Sequence, residues 1–238
     1  AATQVEAEYG VKGEWLLRTS SAINGPDWEY LDQILANGAL IGSHTLNEYT
    51  LDSGGYASAY ANINQSLNDL EAQLGARPTI FVGPGMMAFR DTSKQAIADN
   101  NILTTGDMSH GPYPNFALKV DNATDYGPDA HFSLLEIPVS RYYARPGETW
   151  ASLIYAHMGS MALVDEIAYI EKTVDLTYEL GGVINLYDHI GDIGSMWIHP
   201  DVAPFEHYIA YSLAKPYVWN TDPLEIYDWG TTRDGVSL

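Results

Sequence analysis

Cysteine is absent from the 238 residues. Disulfides, thiolate nucleophiles and cysteine metal sites are excluded with it. Basic residues are few: 11 Lys and Arg stand against 31 Asp and Glu, a formal net charge of −20. Such a surface repels nucleic acid and anionic membranes, so no nucleic-acid partner is expected. The acids are scattered and not clustered, as charge that serves solubility is spread. No run of eighteen apolar residues occurs, and no membrane span is expected. No signal peptide, lipidation motif, internal repeat or low-complexity tract is visible.

What is present is a globular composition, 46% apolar. The length suits one α/β domain over 1–238. Strand-like and helix-like segments alternate. Glu14 to Arg18 reads as a strand. Pro26 opens a helix whose apolar face is Trp28, Leu31 and Leu35, with Gly38 ending it. Ala39 to Ser43 is a second strand. Tyr56, Tyr60, Ile63, Leu67, Leu70 and Leu74 form one helical stripe, stopped by Gly75. Strands follow at Thr79 to Val82 and Ile102 to Thr105, with a helix over Thr92 to Asn100 between them.

The stretch from Ser109 to Ala130 reads as loop, and Leu134 to Pro138 as strand. Val164 to Tyr178 is a long helix, closed by Gly181-Gly182. Val183 to Tyr187 is a buried strand, Pro204 to Leu213 a helix, and Tyr217 to Trp219 a last strand. About seven strands in this alternation predict a mostly parallel sheet or barrel. His44, Pro84-Gly85, Asp107, Asp188 and His189 each follow a predicted strand. In a parallel barrel those ends share one face, where active sites lie.

Ile41-Gly42-Ser43-His44-Thr45-Leu46-Asn47-Glu48 resembles the second motif of the NodB-homology polysaccharide deacetylases. In that family a His-Ser/Thr pair is followed by a second His, and both imidazoles bind a divalent metal, usually zinc. His44 and Thr45 match, whereas Glu48 stands at the second position. Glu48 is either an oxygen ligand or the start of a solvated loop. Phe81-Val82-Gly83-Pro84-Gly85 is similar to the third motif, with Val82 in place of an arginine that orients a carboxylate. Arg90, eight residues on, either reaches back or serves the surface.

Asp107 falls near the fourth motif, where it orients a histidine, lines a groove or caps a turn. Gly182 to His189 resembles the fifth motif. There the resemblance makes His189 the acid that protonates the leaving group, with Asp188 orienting it or sitting on the metal. The alternative for His189 is a structural histidine after a buried strand. Val218 to Trp229 looks like the family's last strand and its sequel. His110, His131, His157, His199 and His207 show no ligand spacing. The family's first motif, with its two aspartates, has no counterpart here, and the expectation is that sequence carrying it lies upstream.

The resemblance implies a deformed, NodB-like (β/α) barrel lacking its first strand in this chain. It also implies an extracellular or periplasmic, secreted enzyme. Its activity would be removal of acetyl groups from an N- or O-acetylated polysaccharide, with zinc on His44 and Glu48. The 17 Tyr and 6 Trp include candidates for stacking on sugar rings. Two other readings stand beside this one. The first is a non-catalytic barrel that binds carbohydrate or acts as a scaffold, favoured by the missing first-motif aspartates and by the departures at Glu48 and Val82. The second is another sugar-cleaving reaction, for which Glu48, Asp107 and Asp188 are the available carboxylates.

Overall fold

The computed structural model describes residues 2–20, 28, 31–86, 90–106, 118–121, 131–137, 163–185 and 203–234. The chain divides into two compact units. One comprises Lys12–Met108, Ala117–Ile137 and Thr221–Leu238 and contains the sheet; the other comprises Ala1–Val11, Ser109–Phe116 and Pro138–Asn220.

The sheet has six strands: β1 (Glu14–Leu17), β2 (Leu40–Ser43), β3 (Ile80–Val82), β4 (Thr104–Gly106), β5 (Leu118–Asp121) and β6 (His131–Glu136), in the order β1-β2-β3-β4-β6-β5. All neighbours are parallel except β5, which runs antiparallel to β6. This is the α/β architecture with a parallel sheet that the alternation of segments predicts.

The register aligns Leu17, Ser43, Phe81, Thr105 and Glu136 in one row across the five parallel strands. In a pleated sheet such a row shares a face, and the next row takes the other. Helix α3 (Gly55–Leu74) covers the first face. There Phe81, Ile63, Leu67 and Ile97 are wholly buried together. Each such side chain contributes about 1.5–3 kcal/mol by leaving water. Ser43 Oγ meets Ser66 Oγ of α3 at 2.8 Å, so the polar member of the row is also satisfied.

The opposite face is narrow at Gly42. A Cβ there would lie 2.8 Å from Leu16 Cδ2 and 3.0 Å from the Ile80 carbonyl oxygen. Helix α3 ends at Gly75, whose φ of 72° is the left-handed cap a glycine adopts without strain. Arg77 then fastens the helix, donating to Asn68 Oδ1 at 2.6 Å and Asn64 Oδ1 at 2.9 Å.

Helix α2 (Leu31–Ala36) buries Leu31 and packs Ile34 against Ile41 and Leu70, and Trp28, ahead of the helix, joins the same cluster. Leu35, predicted on that face, is 41% exposed. Helix α4 (Asp91–Asp99) starts where Asp52 accepts from Ser93 Oγ at 2.6 Å and from the Arg90 N–H at 3.2 Å.

The second unit holds α1 (Ala2–Tyr9), α5 (Leu163–Leu180) and α6 (Ala203–Leu213). Ile170 and Val174 of α5 are buried against Phe205, Tyr208 and Tyr211. Polar pairs line the same contact. His207 Nε2 lies 3.0 Å from Glu171 Oε1, and Tyr211 donates to Asp175 at 3.1 Å. Lys215 beside Asp175 holds that carboxyl below the usual range.

Two expectations need correction. Tyr217 to Trp219 is not a strand. Tyr217 turns through φ 60° and is fully exposed, and the chain then enters helix α7 (Pro223–Asp234). The reason is local: Asp222 accepts from the Glu225 N–H at 2.9 Å as an N-cap, and Pro223 fits the first helical turn. The stretch read as loop over Ser109 to Ala130 contains β5, a short edge strand. Of the strand predicted over Val183 to Tyr187, the described part ends at Asn185 and shows only an isolated bridge at Val183. Pro26 lies outside the described residues. Among those residues no helix is long and apolar enough to cross a membrane.

Glu14 opens β1 with Oε1 buried and unpartnered among the described residues. Burial, and after it the Asp222 charge, pushes its carboxyl from 4.5 up to about 7. Asp222 is itself held by Lys12 Nζ at 2.8 Å. A raised carboxyl binds more protons folded than unfolded, so stability falls as pH climbs from 4.5 through about 7. A shift of this size costs about 3 kcal/mol above that window. Glu14→Gln removes the cost. Urea unfolding is expected to show the variant about 3 kcal/mol more stable than wild type at pH 8 and equal to it near pH 4. Equal stabilities at pH 8 would contradict the burial of an ionising carboxyl.

Candidate functional site

The residues just past the Leu17–Ser43–Phe81 row are Arg18, His44 and Val82, set side by side by the parallel register. The main-chain ladder runs on beyond the strands. The His44 N–H donates to the Leu17 carbonyl at 2.9 Å and the Ser20 N–H to the Leu46 carbonyl at 2.8 Å.

The His44 ring is fixed by its neighbour on the other side. Nδ1 lies 2.7 Å from the Val82 carbonyl oxygen. A carbonyl can only accept, so Nδ1 carries a proton, and of the two neutral tautomers only the Nδ1–H form makes this bond. Val82 is buried and contributes this carbonyl, not its side chain, to the site. Just past it, the chain turns sharply over Pro84–Met86, with Gly85 in the left-handed region at φ 66°.

The loop after His44 is strained and pinned. Thr45 has φ 72° and Glu48 φ 57°. Left-handed backbone costs a residue with a Cβ about 1–2 kcal/mol, and a β-branched threonine more than most. Thr45 is fully buried, and its hydroxyl has no partner among the described residues. Strain of this kind persists only where the surroundings over-determine it, and it gathers at functional sites. The surroundings here are polar side chains of α3. Asn62 Oδ1 accepts from the Leu46 N–H at 2.9 Å, and Asn62 Nδ2 donates to Asn47 Oδ1 at 3.0 Å. Asp69 accepts from Thr19 Oγ1 at 3.0 Å.

Glu48 is paired with Arg18, Nη1 to Oε2 at 2.8 Å, with the side chains 40% and 62% exposed. An ion pair this open contributes about 0–1 kcal/mol and does not offset the backbone strain by itself. Arg90 is exposed ahead of α4, where its main-chain N–H serves Asp52. Asp107, Asp188 and His189 lie outside the described residues. Of the predicted site residues, His44 and Glu48 are therefore placed on one pinned loop. Reasoning from side-chain identity missed the Val82 carbonyl, Arg18 and Asn62. The first is invisible in side chains, and the other two read as ordinary polar positions.

No family model matches the sequence, and no curated protein matches it. Solved structures do. A chain from Mycobacterium smegmatis assigned as a polysaccharide deacetylase is 17% identical, with a TM-score of 0.72 over 98% of this chain and 76% of that one. One from Pseudomonas aeruginosa, likewise assigned, is 16% identical, with a TM-score of 0.63 over 98% and 72%. The Puue allantoinase is 16% identical, with a TM-score of 0.64 over the same shares. Identities this low speak for the fold. The chain has the NodB-like fold of the polysaccharide deacetylases. That an allantoinase shares it leaves the substrate to be argued from the site.

The fold raises the question of a metal. His44 fits a ligand: a metal-bound histidine gives its other ring N–H to a carbonyl or carboxylate, as Nδ1 does here. Glu48 fits less well, because Arg18 holds its carboxylate. Among the described residues no three His, Asp or Glu side chains gather into a metal site.

The loop's dependence on α3 is testable. Asn62→Ala leaves the Leu46 N–H without its acceptor and is expected to lower stability by about 1–2 kcal/mol in urea unfolding. A change below about 0.3 kcal/mol would show that Asn62 does not pin the loop.

Proposed function

We propose that the chain is a hydrolase that removes N- or O-linked acetyl groups from a polysaccharide, outside the cell or in the periplasm. The observation that carries the reading is the His44 imidazole, held by the Val82 carbonyl at the C-terminal edge of a parallel sheet of deacetylase fold. Zinc, with His44 as its fitting ligand and Glu48 available only on release from Arg18, would supply Lewis acidity and a lowered water pKa.

The chain's own residues do the rest of what is assigned. Val82 and the Leu17 carbonyl fix where the imidazole stands. The resemblance assigns proton donation to His189, with Asp188 and Asp107 as orienting carboxylates. Hydrolysis then places water oxygen on the acetyl carbon, breaks the C–N or C–O bond and gives the proton to the departing amine or hydroxyl. The strong negative charge suits a neutral or partly cationic glycan.

A second reading, a barrel that binds glycan without cleaving it, is favoured by the Arg18–Glu48 pair and by uncharged Val82. Elemental analysis and acetate release from an acetylated polysaccharide separate the two. The deacetylase reading expects about one zinc per chain, lost in His44→Ala. Acetate release should fall in that variant by more than the roughly 10- to 100-fold that loss of an outer-shell partner costs. Glycan binding with neither zinc nor acetate release would establish the second reading instead.

A further inference from the structure

We propose that helix α7 is a proton-operated cover at the N-terminal end of the sheet, seated while Glu14 is protonated and loosened when Glu14 ionises. The inference is independent of the hydrolase reading, since Glu14 opens β1 and the candidate site lies past that strand's other end.

The junction lies wholly within the unit that holds the sheet. Lys12, two residues before β1, sends Nζ to Asp222 Oδ2 at 2.8 Å and to Glu225 Oε1 at 3.2 Å. Asp222 is the buried member, with its side chain 4% exposed, and its Oδ1 caps α7 by accepting from the Glu225 N–H. Glu14 adds a third carboxyl, whose Oε1 is buried and has no partner among the described residues. One ammonium therefore serves three carboxyls. Glu225 is held below the usual carboxylate range, first by the Thr221 hydroxyl and then by Lys12, so it is charged near neutrality. Glu14 is the member that titrates there, because burial and then the Asp222 charge push its carboxyl up to about 7. β2 and β4 bring no further charge: Leu40 stands opposite Glu14, and β4, against which α7 packs, is Thr104-Thr105-Gly106. Asp228 and Arg233 belong to later turns of α7, with Arg233 over the Trp229 ring at 4.8 Å.

Ionised, Glu14 is a buried charge beside a like charge, and such a group is relieved by reaching water. β1 does not yield readily. It is paired with β2 along its whole length, and the Leu40 N–H donates to the Gly13 carbonyl at 2.8 Å. α7 is the looser partner: Ile226 is buried, Leu224 and Tyr227 are half-buried and Trp229 is exposed. Elements with little buried apolar surface open locally at low cost. Asp222 is both the neighbouring charge and the helix cap, so the repulsion acts on the residue that starts α7. Seated α7 binds the Glu14 proton more tightly than lifted α7. Seating is therefore firmest at acid pH and weakens as pH rises from 4.5 through about 7.

The test is amide hydrogen exchange on the full chain, with each rate divided by its intrinsic rate so that base catalysis cancels. At pH 5 and at pH 8 the amides of Ile226 to Trp229 should be less protected than those of Leu67 and Leu70 in α3, as a local opening requires. Between those two pH values their protection should fall at least about tenfold in wild type and less than about twofold in Glu14→Gln. Glu14→Met serves in the same way should the Gln variant not fold, with circular dichroism as the check. Protection in α7 equal to that in α3 would show that α7 leaves only with the whole fold, and would overturn the proposal. So would wild-type protection in α7 that does not change with pH, or a fall of equal size in Glu14→Gln.

Discussion

The hydrogen bond from His44 Nδ1 to the Val82 carbonyl is the contact on which the candidate site depends. It exists because Ser43 of β2 stands opposite Phe81 of β3. That register is set from the covered face, where Phe81 is buried with Ile63 and Leu67 and Ser43 meets Ser66. A slip of one residue would put His44 on the face that α3 covers and Ser43 on the other. Core packing thus sets register, register sets the neighbour of the imidazole, and that neighbour sets its tautomer.

Much of this was legible in the sequence. The stripe from Tyr56 to Leu74 gave helix α3, because burial of one face at helical spacing leaves a periodic trace. Gly75 gave its end for an equally local reason. The short apolar runs before His44, Pro84 and Asp107 located β2, β3 and β4 to within a residue or two. Apolar pattern alone misled at Tyr217 to Trp219, where an Asp-Pro helix start three residues on governs the backbone. Leu35 was misplaced because a short helix lets Ile34 take the buried position.

The site was legible only in part. His44 was marked by its motif, but the group that orients it is a main-chain carbonyl, the same atom whatever residue occupies position 82. Glu48 was open between ligand and solvated loop because its partner, Arg18, lies thirty positions earlier and is brought near by strand pairing alone. Strain at Thr45 left no trace either, since a threonine at left-handed φ is exceptional and no composition rule anticipates it. What side-chain identity could not reveal is what the sheet supplies: register, carbonyl acceptors and the pairing of distant charges.

The fold and the site speak to different questions. The fold is shared with chains of more than one described activity, so it does not choose a substrate. The choice falls to the imidazole and its setting. The most direct measurement is the tautomer of His44, read from long-range nitrogen–proton NMR of the ¹⁵N-histidine-labelled chain, with His44→Gln assigning the signal among the 7 histidines. The structure predicts a ring that keeps its proton on Nδ1, so that above the ring's titration Nε2 is the nitrogen that shows the unprotonated shift. A neutral ring protonated at Nε2 alone would contradict the bond to Val82, and with it the account of His44 as the organising residue of the site.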